Sequence, residues 1–144
     1  MPVCGVVRPK DVRGLEALEF ASYAFNGGYL QRLGPDGELP FVLHREAEFE
    51  IFWFVPIERG FAPFGLERKF NGPKAVVSSE WVRDGACRVV LRDGGRFLAY
   101  GERAPRAILT GDPGKGGGEL PFSYDRASGA LRVELGEDRA LTVC

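Results

Sequence analysis

Apolar and polar positions alternate in short bursts along the chain, and 20 glycines and 10 prolines punctuate the intervals. That spacing predicts many short strands rather than a few long helices. The clearest burst is Ala47 to Val55, where Ala47, Phe49, Ile51, Trp53 and Val55 are all apolar. The intervening positions begin as Glu48 and Glu50 and then become Phe52 and Phe54. A period of two predicts a strand, and the change from polar to apolar predicts that one end is covered on both faces.

Further strands are predicted over Leu39–Leu43, Ala75–Val82, Ala86–Leu91, Arg96–Tyr100, Arg106–Leu109, Leu120–Tyr124, Ala130–Leu135 and Ala140–Val143. Tyr23–Leu33, interrupted at Asn26-Gly27-Gly28, reads as a strand pair or one bulged strand. Turn residues separate these segments, among them Pro35-Asp36-Gly37, Asp84-Gly85, Asp93-Gly94-Gly95 and Ser128-Gly129. Nine or ten short antiparallel strands in 144 residues predict an all-β sandwich of jelly-roll or Greek-key type. One short helix fits after Asp11, which would cap Val12–Leu18, although Gly14 lies within it. The glycine-rich stretch Gly111–Gly118 reads as a loop. No repeat or long linker divides the chain, so residues 1–144 are expected to form one domain.

Composition narrows the function. Nineteen Lys and Arg against 20 Asp and Glu leave a formal net charge of −1, so no broad basic surface is expected for nucleic acid. The apolar run Ile51–Val55 is too short to cross a bilayer, and the N-terminal residues lack a secretory apolar stretch. A soluble, cytoplasmic protein is expected. Cys4, Cys87 and Cys144 are too few and too scattered for a disulfide framework or a structural zinc site.

Catalytic chemistry finds little purchase. The loop around Gly114-Lys115 lacks the hydroxyl residue after lysine that a phosphate loop uses to hold magnesium. His44 is the sole histidine, which leaves no partner for a hydrolase triad or a zinc centre. Glu46, Glu48 and Glu50 could stand about 6.6–6.8 Å apart along one strand face. Glycosidase carboxylates, however, flank the sugar from opposite sides. No catalytic, cofactor-binding or metal-binding residue is therefore assigned. Trp53, Trp81, Phe52 and Phe54 are candidates for sugar stacking or interdomain contact, although core packing uses the same residue types.

Ordered motifs go further. Gly5-Val6-Val7-Arg8-Pro9-Lys10-Asp11-Val12, Glu48-Phe49-Glu50-Ile51-Phe52 and Val55-Pro56-Ile57 come first. Phe61-Ala62-Pro63-Phe64-Gly65-Leu66 is the most distinctive, and Lys69-Phe70-Asn71 and Ala75-Val76 follow. Gly95-Arg96-Phe97-Leu98-Ala99-Tyr100, then Phe122-Ser123-Tyr124-Asp125 and Ser128-Gly129-Ala130-Leu131, complete the series. In this order they resemble the C-terminal region of raffinose synthases, stachyose synthases and seed imbibition proteins (alkaline α-galactosidases) of glycoside hydrolase family 36.

The resemblance implies a β-sandwich that accompanies a catalytic (β/α)₈ barrel in its relatives, where two aspartates carry galactosyl transfer by double displacement. None of those catalytic positions falls in this chain, so it is expected to be inactive alone. The implied partners are a catalytic barrel domain or subunit and, weakly, an α-galactoside; self-association is the expectation if an interdomain face is left open. The competing reading is a stand-alone carbohydrate-binding or structural interaction module.

Overall fold

The computed structural model describes residues 1–110 and 118–144, so the loop expected over Gly111–Gly118 lies outside the described residues except for Gly118. Thirteen strands run through them: β1 (Val3–Val7), β2 (Phe20–Ala24), β3 (Tyr29–Leu33), β4 (Leu39–Leu43), β5 (Phe52–Pro56), β6 (Phe61–Leu66) and β7 (Val76–Trp81) are followed by β8 (Cys87–Leu91), β9 (Arg96–Gly101), β10 (Ile108–Thr110), β11 (Phe122–Asp125), β12 (Ala130–Glu134) and β13 (Ala140–Val143). Among the described residues helical structure is confined to 3-10 turns of three or four residues. The all-β sandwich expected from the sequence is present.

All strand pairs are antiparallel. They form four sheets: β1-β4, β3-β2-β5, β11-β12-β9-β6 and β10-β13-β8-β7. Side-chain burial shows how these stack. On β9, Phe97 and Ala99 enter one apolar cluster with Val89 and Leu141 of the β10-β13-β8-β7 sheet. Leu98 and Tyr100, on the opposite face, enter a second cluster with Ala21, Tyr23 and Trp53 of the β3-β2-β5 sheet. The β11-β12-β9-β6 sheet is thus the filling between two outer sheets. This explains why β9 alternates no polar residue between Phe97 and Gly101: both faces are covered. The β1-β4 ribbon meets the remaining face of β5, where Phe41 and Phe52 stand 6.3 Å apart.

Strand β6 reaches both clusters by means of a bulge. Ala62 and Phe64 point into the second cluster, while Phe61 and Leu66 point into the first. Phe61 and Leu66 differ by an odd number of residues, so a regular strand would place them on opposite faces. The register shift between Pro63 and Gly65 resolves this by inserting one residue. Gly65 takes φ +101 there, and a methyl group in its place would collide with the Gly72 carbonyl oxygen.

Charge also crosses between layers. Arg132 on β12 shares the inner face with Tyr23 and Trp53, and Glu67, just past β6, meets it. The Arg132 Nε lies 3.0 and 3.1 Å from the two Glu67 oxygens, and the Tyr23 hydroxyl donates to Glu67 Oε1 at 2.9 Å. Arg96 approaches the same carboxylate at 3.5 Å. A carboxylate with only 11% of its side chain exposed is therefore matched by two guanidinium groups and a phenol.

Three expectations are corrected. No helix forms over residues 12–18: Pro9–Asp11 makes a 3-10 turn, Gly14 adopts φ +78, and Leu18 is 91% exposed. The Asp11 carboxylate does accept a backbone N–H, but from Arg8 behind it, closing the turn rather than starting a helix. The strand expected over Ala47–Val55 begins only at Phe52. Its first half is held as a loop because Glu48 and Glu50 bind backbone amides instead of standing out from a ladder. The strand count is also higher, since β1 and β6 add to the expected set and Tyr23–Leu33 resolves into the pair β2 and β3.

Candidate functional site

The aromatic residues singled out from the sequence do not converge. Trp53 on β5 is 5% exposed, with the rings of Tyr23, Phe25 and Phe64 at 5.3, 5.8 and 6.3 Å. Its indole N–H donates to the Phe70 carbonyl at 3.2 Å. Neither ring face nor polar tip is left for a ligand in this conformation. Phe52 and Phe54 are half-buried on the opposite side of β5, the side toward the β1-β4 ribbon.

Trp81 sits elsewhere, at the end of β7, packed at the rim of the first apolar cluster. It is half-buried and meets Phe61 edge-on at 6.2 Å. The guanidinium carbon of Arg59 lies over its ring, 5.1 Å from the centroid. The pair forms one wall of a cleft of about 1140 Å³. That cleft lies where the β5–β6 turn, the β7–β8 turn, the segment after β9 and the end of β13 meet.

Of the three glutamates weighed for glycosidase chemistry, Glu48 and Glu50 are structural. Glu50 accepts the amides of Asn26, Gly27 and Ile51 at 2.7, 2.9 and 2.9 Å, which pins the β2–β3 turn to the entry of β5. Glu48 accepts the His44 amide at 2.6 Å, closing a local loop. Glu46 and His44 are exposed. Among the described residues no three His, Cys, Asp or Glu side chains are grouped to hold a metal ion. Cys87 is buried, and burial pushes its thiol up to about 11, where it is a poor nucleophile at neutral pH.

No family model matches the chain. Curated proteins do. Probable galactinol–sucrose galactosyltransferase 1 of Arabidopsis thaliana is 30% identical over 150 residues, covering 93% of this chain and 19% of that protein. Stachyose synthase of Pisum sativum is 38% identical over 63 residues, covering 40% of this chain. The chain is homologous to the raffinose synthase family. Probable galactinol–sucrose galactosyltransferase 4 of Arabidopsis thaliana adds a 26% identity over 146 residues, 90% of this chain and 16% of that protein. The chain therefore spans about a fifth or less of the length of these raffinose synthase relatives.

The fold gives the family resemblance a physical location. Phe61–Leu66 is β6, Arg96–Tyr100 lies in β9, Phe122–Asp125 is β11, and Ser128–Leu131 is the turn into β12. These four strands are the β11-β12-β9-β6 sheet, in which β6, β9 and β12 are covered on both faces while β11 is a largely exposed edge. The motifs in β6, β9 and the turn into β12 thus fall where packing constrains residue type tightly, whereas Phe122–Asp125 and Lys69–Asn71 are largely exposed. The sequence pattern missed the Arg59–Trp81 stack, because Arg59 carries no periodic signal; its Ile57-Glu58-Arg59-Gly60 setting shows only a turn.

Proposed function

We propose that this chain is a non-catalytic β-sandwich domain of a raffinose-synthase-like galactosyltransferase or α-galactosidase in raffinose-family oligosaccharide metabolism. The observation that carries the reading is the 30% identity over 93% of the chain, set against only 19% of the relative. The β-sandwich accounts for a part of such a protein that supports a catalytic domain rather than replacing it. The employment of Glu48 and Glu50 in backbone amide bonds supports the same view, since carboxylates so held are poor acid–base candidates.

In this reading the partner is the catalytic barrel, and exposed apolar surface is what it covers. Phe49 and Phe70 are 50% and 63% exposed and stand 6.1 Å apart, with Phe70 leading inward to Phe25 at 5.0 Å. That run of rings joins the surface directly to Trp53 in the core. Galactosyl-transfer and hydrolysis assays on the purified chain, with galactinol, sucrose and raffinose, provide the test. No turnover is expected. Turnover that persists through purification and vanishes on Glu50→Gln would overturn the reading and restore the glutamates as candidates.

A further inference from the structure

The Arg59–Trp81 cleft carries features that packing alone does not require. Arg59, Arg83, Arg103 and Arg106 line it, against Asp84, Glu102 and the terminal carboxylate of Cys144. Four guanidinium groups thus outnumber three acidic groups at the mouth, and Glu102 also faces Arg32, which Glu19 shares, at 3.7 Å. No hydrogen bond or ion pair holds these four guanidinium groups among the described residues. The Arg59 guanidinium carbon instead lies over the Trp81 ring, 5.1 Å from its centroid, and no protein acceptor takes its N–H groups among the described residues.

The backbone holds this arrangement. Among the described residues the non-glycine positions with positive φ are Arg59 (φ 50) and Asp84 (φ 61), and both line the cleft. Each is followed by a glycine at positive φ, Gly60 and Gly85, so two tight turns present Arg59 and Asp84 at the cleft. The Glu102 amide donates to the Gly60 carbonyl at 2.8 Å, which ties the Arg59 turn to the segment carrying Arg103. Thr142, 2% exposed, also lines the cleft, and its hydroxyl has no hydrogen-bond partner. Buried hydroxyls are ordinarily satisfied. The remaining lining is apolar, from Pro105, Leu109 and Val143 among others.

We propose that this cleft binds a small phosphate monoester, its phosphate held by the Arg59 guanidinium stacked on Trp81 together with Arg103, and its body lying against the apolar wall. A neutral sugar is a poorer fit, because the guanidinium already occupies a face of Trp81. The inference stands on the cleft alone and does not depend on the galactosyltransferase reading.

Trp81 reports on the test, since Trp53 is buried in the other cluster. Tryptophan fluorescence of the full chain is titrated at low salt with inorganic phosphate, with glucose 1-phosphate and with galactose, and calorimetry checks each titration. Saturable binding is expected for glucose 1-phosphate, and more weakly for inorganic phosphate, falling as sodium chloride is added. Arg59→Gln and Arg103→Gln should each weaken it on the order of tenfold, while Arg68→Gln, outside the cleft lining, should leave it unchanged. Inorganic phosphate binding as tightly as the ester would remove the role of the apolar wall and overturn the monoester assignment. No saturable response to either phosphate, galactose binding as tightly as the ester, or unaltered affinity in Arg103→Gln would each overturn the proposal. Arg103 is exposed and without a side-chain partner, so that variant tests the idea even if Arg59→Gln disturbs the tight turn.

Discussion

At the scale of single residues, Tyr23 and Cys87 show how burial rewrites ordinary chemistry. Burial, and then the hydrogen bond to Glu67, push the Tyr23 phenol up to about 12 from its ordinary value of 10. The unfolded chain gives up that proton near pH 10, whereas the folded chain keeps it. The associated stability is therefore complete below pH 10 and is lost as pH rises toward 12, by ~2–3 kcal/mol at most. Urea unfolding across pH 9–12 should show that decline, and Tyr23→Phe should flatten a large part of it while costing about 1–2 kcal/mol at pH 7. An equally steep decline in the variant would remove Tyr23 as its source. Cys87, by contrast, makes a chemical prediction. A thiol that is both buried and raised to about 11 should resist alkylation at pH 8, while exposed Cys4 and Cys144 react. Mass spectrometry of the native chain after iodoacetamide should find two labels, and three only after denaturation.

At the scale of elements, β6 is the piece on which the layering turns. It lies at the edge of the sheet order β11-β12-β9-β6, yet it supplies Phe61 and Leu66 to one cluster and Ala62 and Phe64 to the other. A one-residue slip would turn Leu66 away from the first cluster. The bulge at Pro63–Gly65 is what prevents this, and Gly65 tolerates it because it has no Cβ to strike Gly72. Gly65→Ala is expected to cost about 3 kcal/mol or more, from the left-handed backbone and the collision together. Thermal unfolding by circular dichroism measures it. A variant that melts within a degree of the parent would show that β6 can pair without its bulge. Elsewhere Gly14→Ala, also at positive φ but with no atom near its would-be Cβ, should lose only about 1 kcal/mol.

At the scale of the whole molecule, the exposed rings of Phe49 and Phe70 determine how the chain behaves in isolation. An apolar run that continues from solvent through Phe25 to the core is expected to drive concentration-dependent self-association when no partner covers it. Size-exclusion chromatography with light scattering should detect this, and Phe49→Ser with Phe70→Ser should restore a monomer. A parent chain that stays monomeric at high concentration would count against an open interdomain face there. The sequence by itself determined the fold class and most strand positions, because alternation and turn residues are local signals: Leu39–Leu43 was read with its bounds intact. Several family motifs were legible for a related reason, since β6, β9 and β12 are covered on both faces, where packing limits choice. Only the tertiary structure decided which carboxylates stand free. The amides that occupy Glu50 come from Asn26 and Gly27, more than twenty residues away, and no periodicity within Ala47–Val55 encodes them. It also decided that Trp53 is interior and Trp81 is not, because an aromatic residue on a strand looks the same in sequence whether one sheet or two lie against it. The Arg59–Trp81 pair brings together turns that are distant along the chain, and its geometry is a property of their meeting.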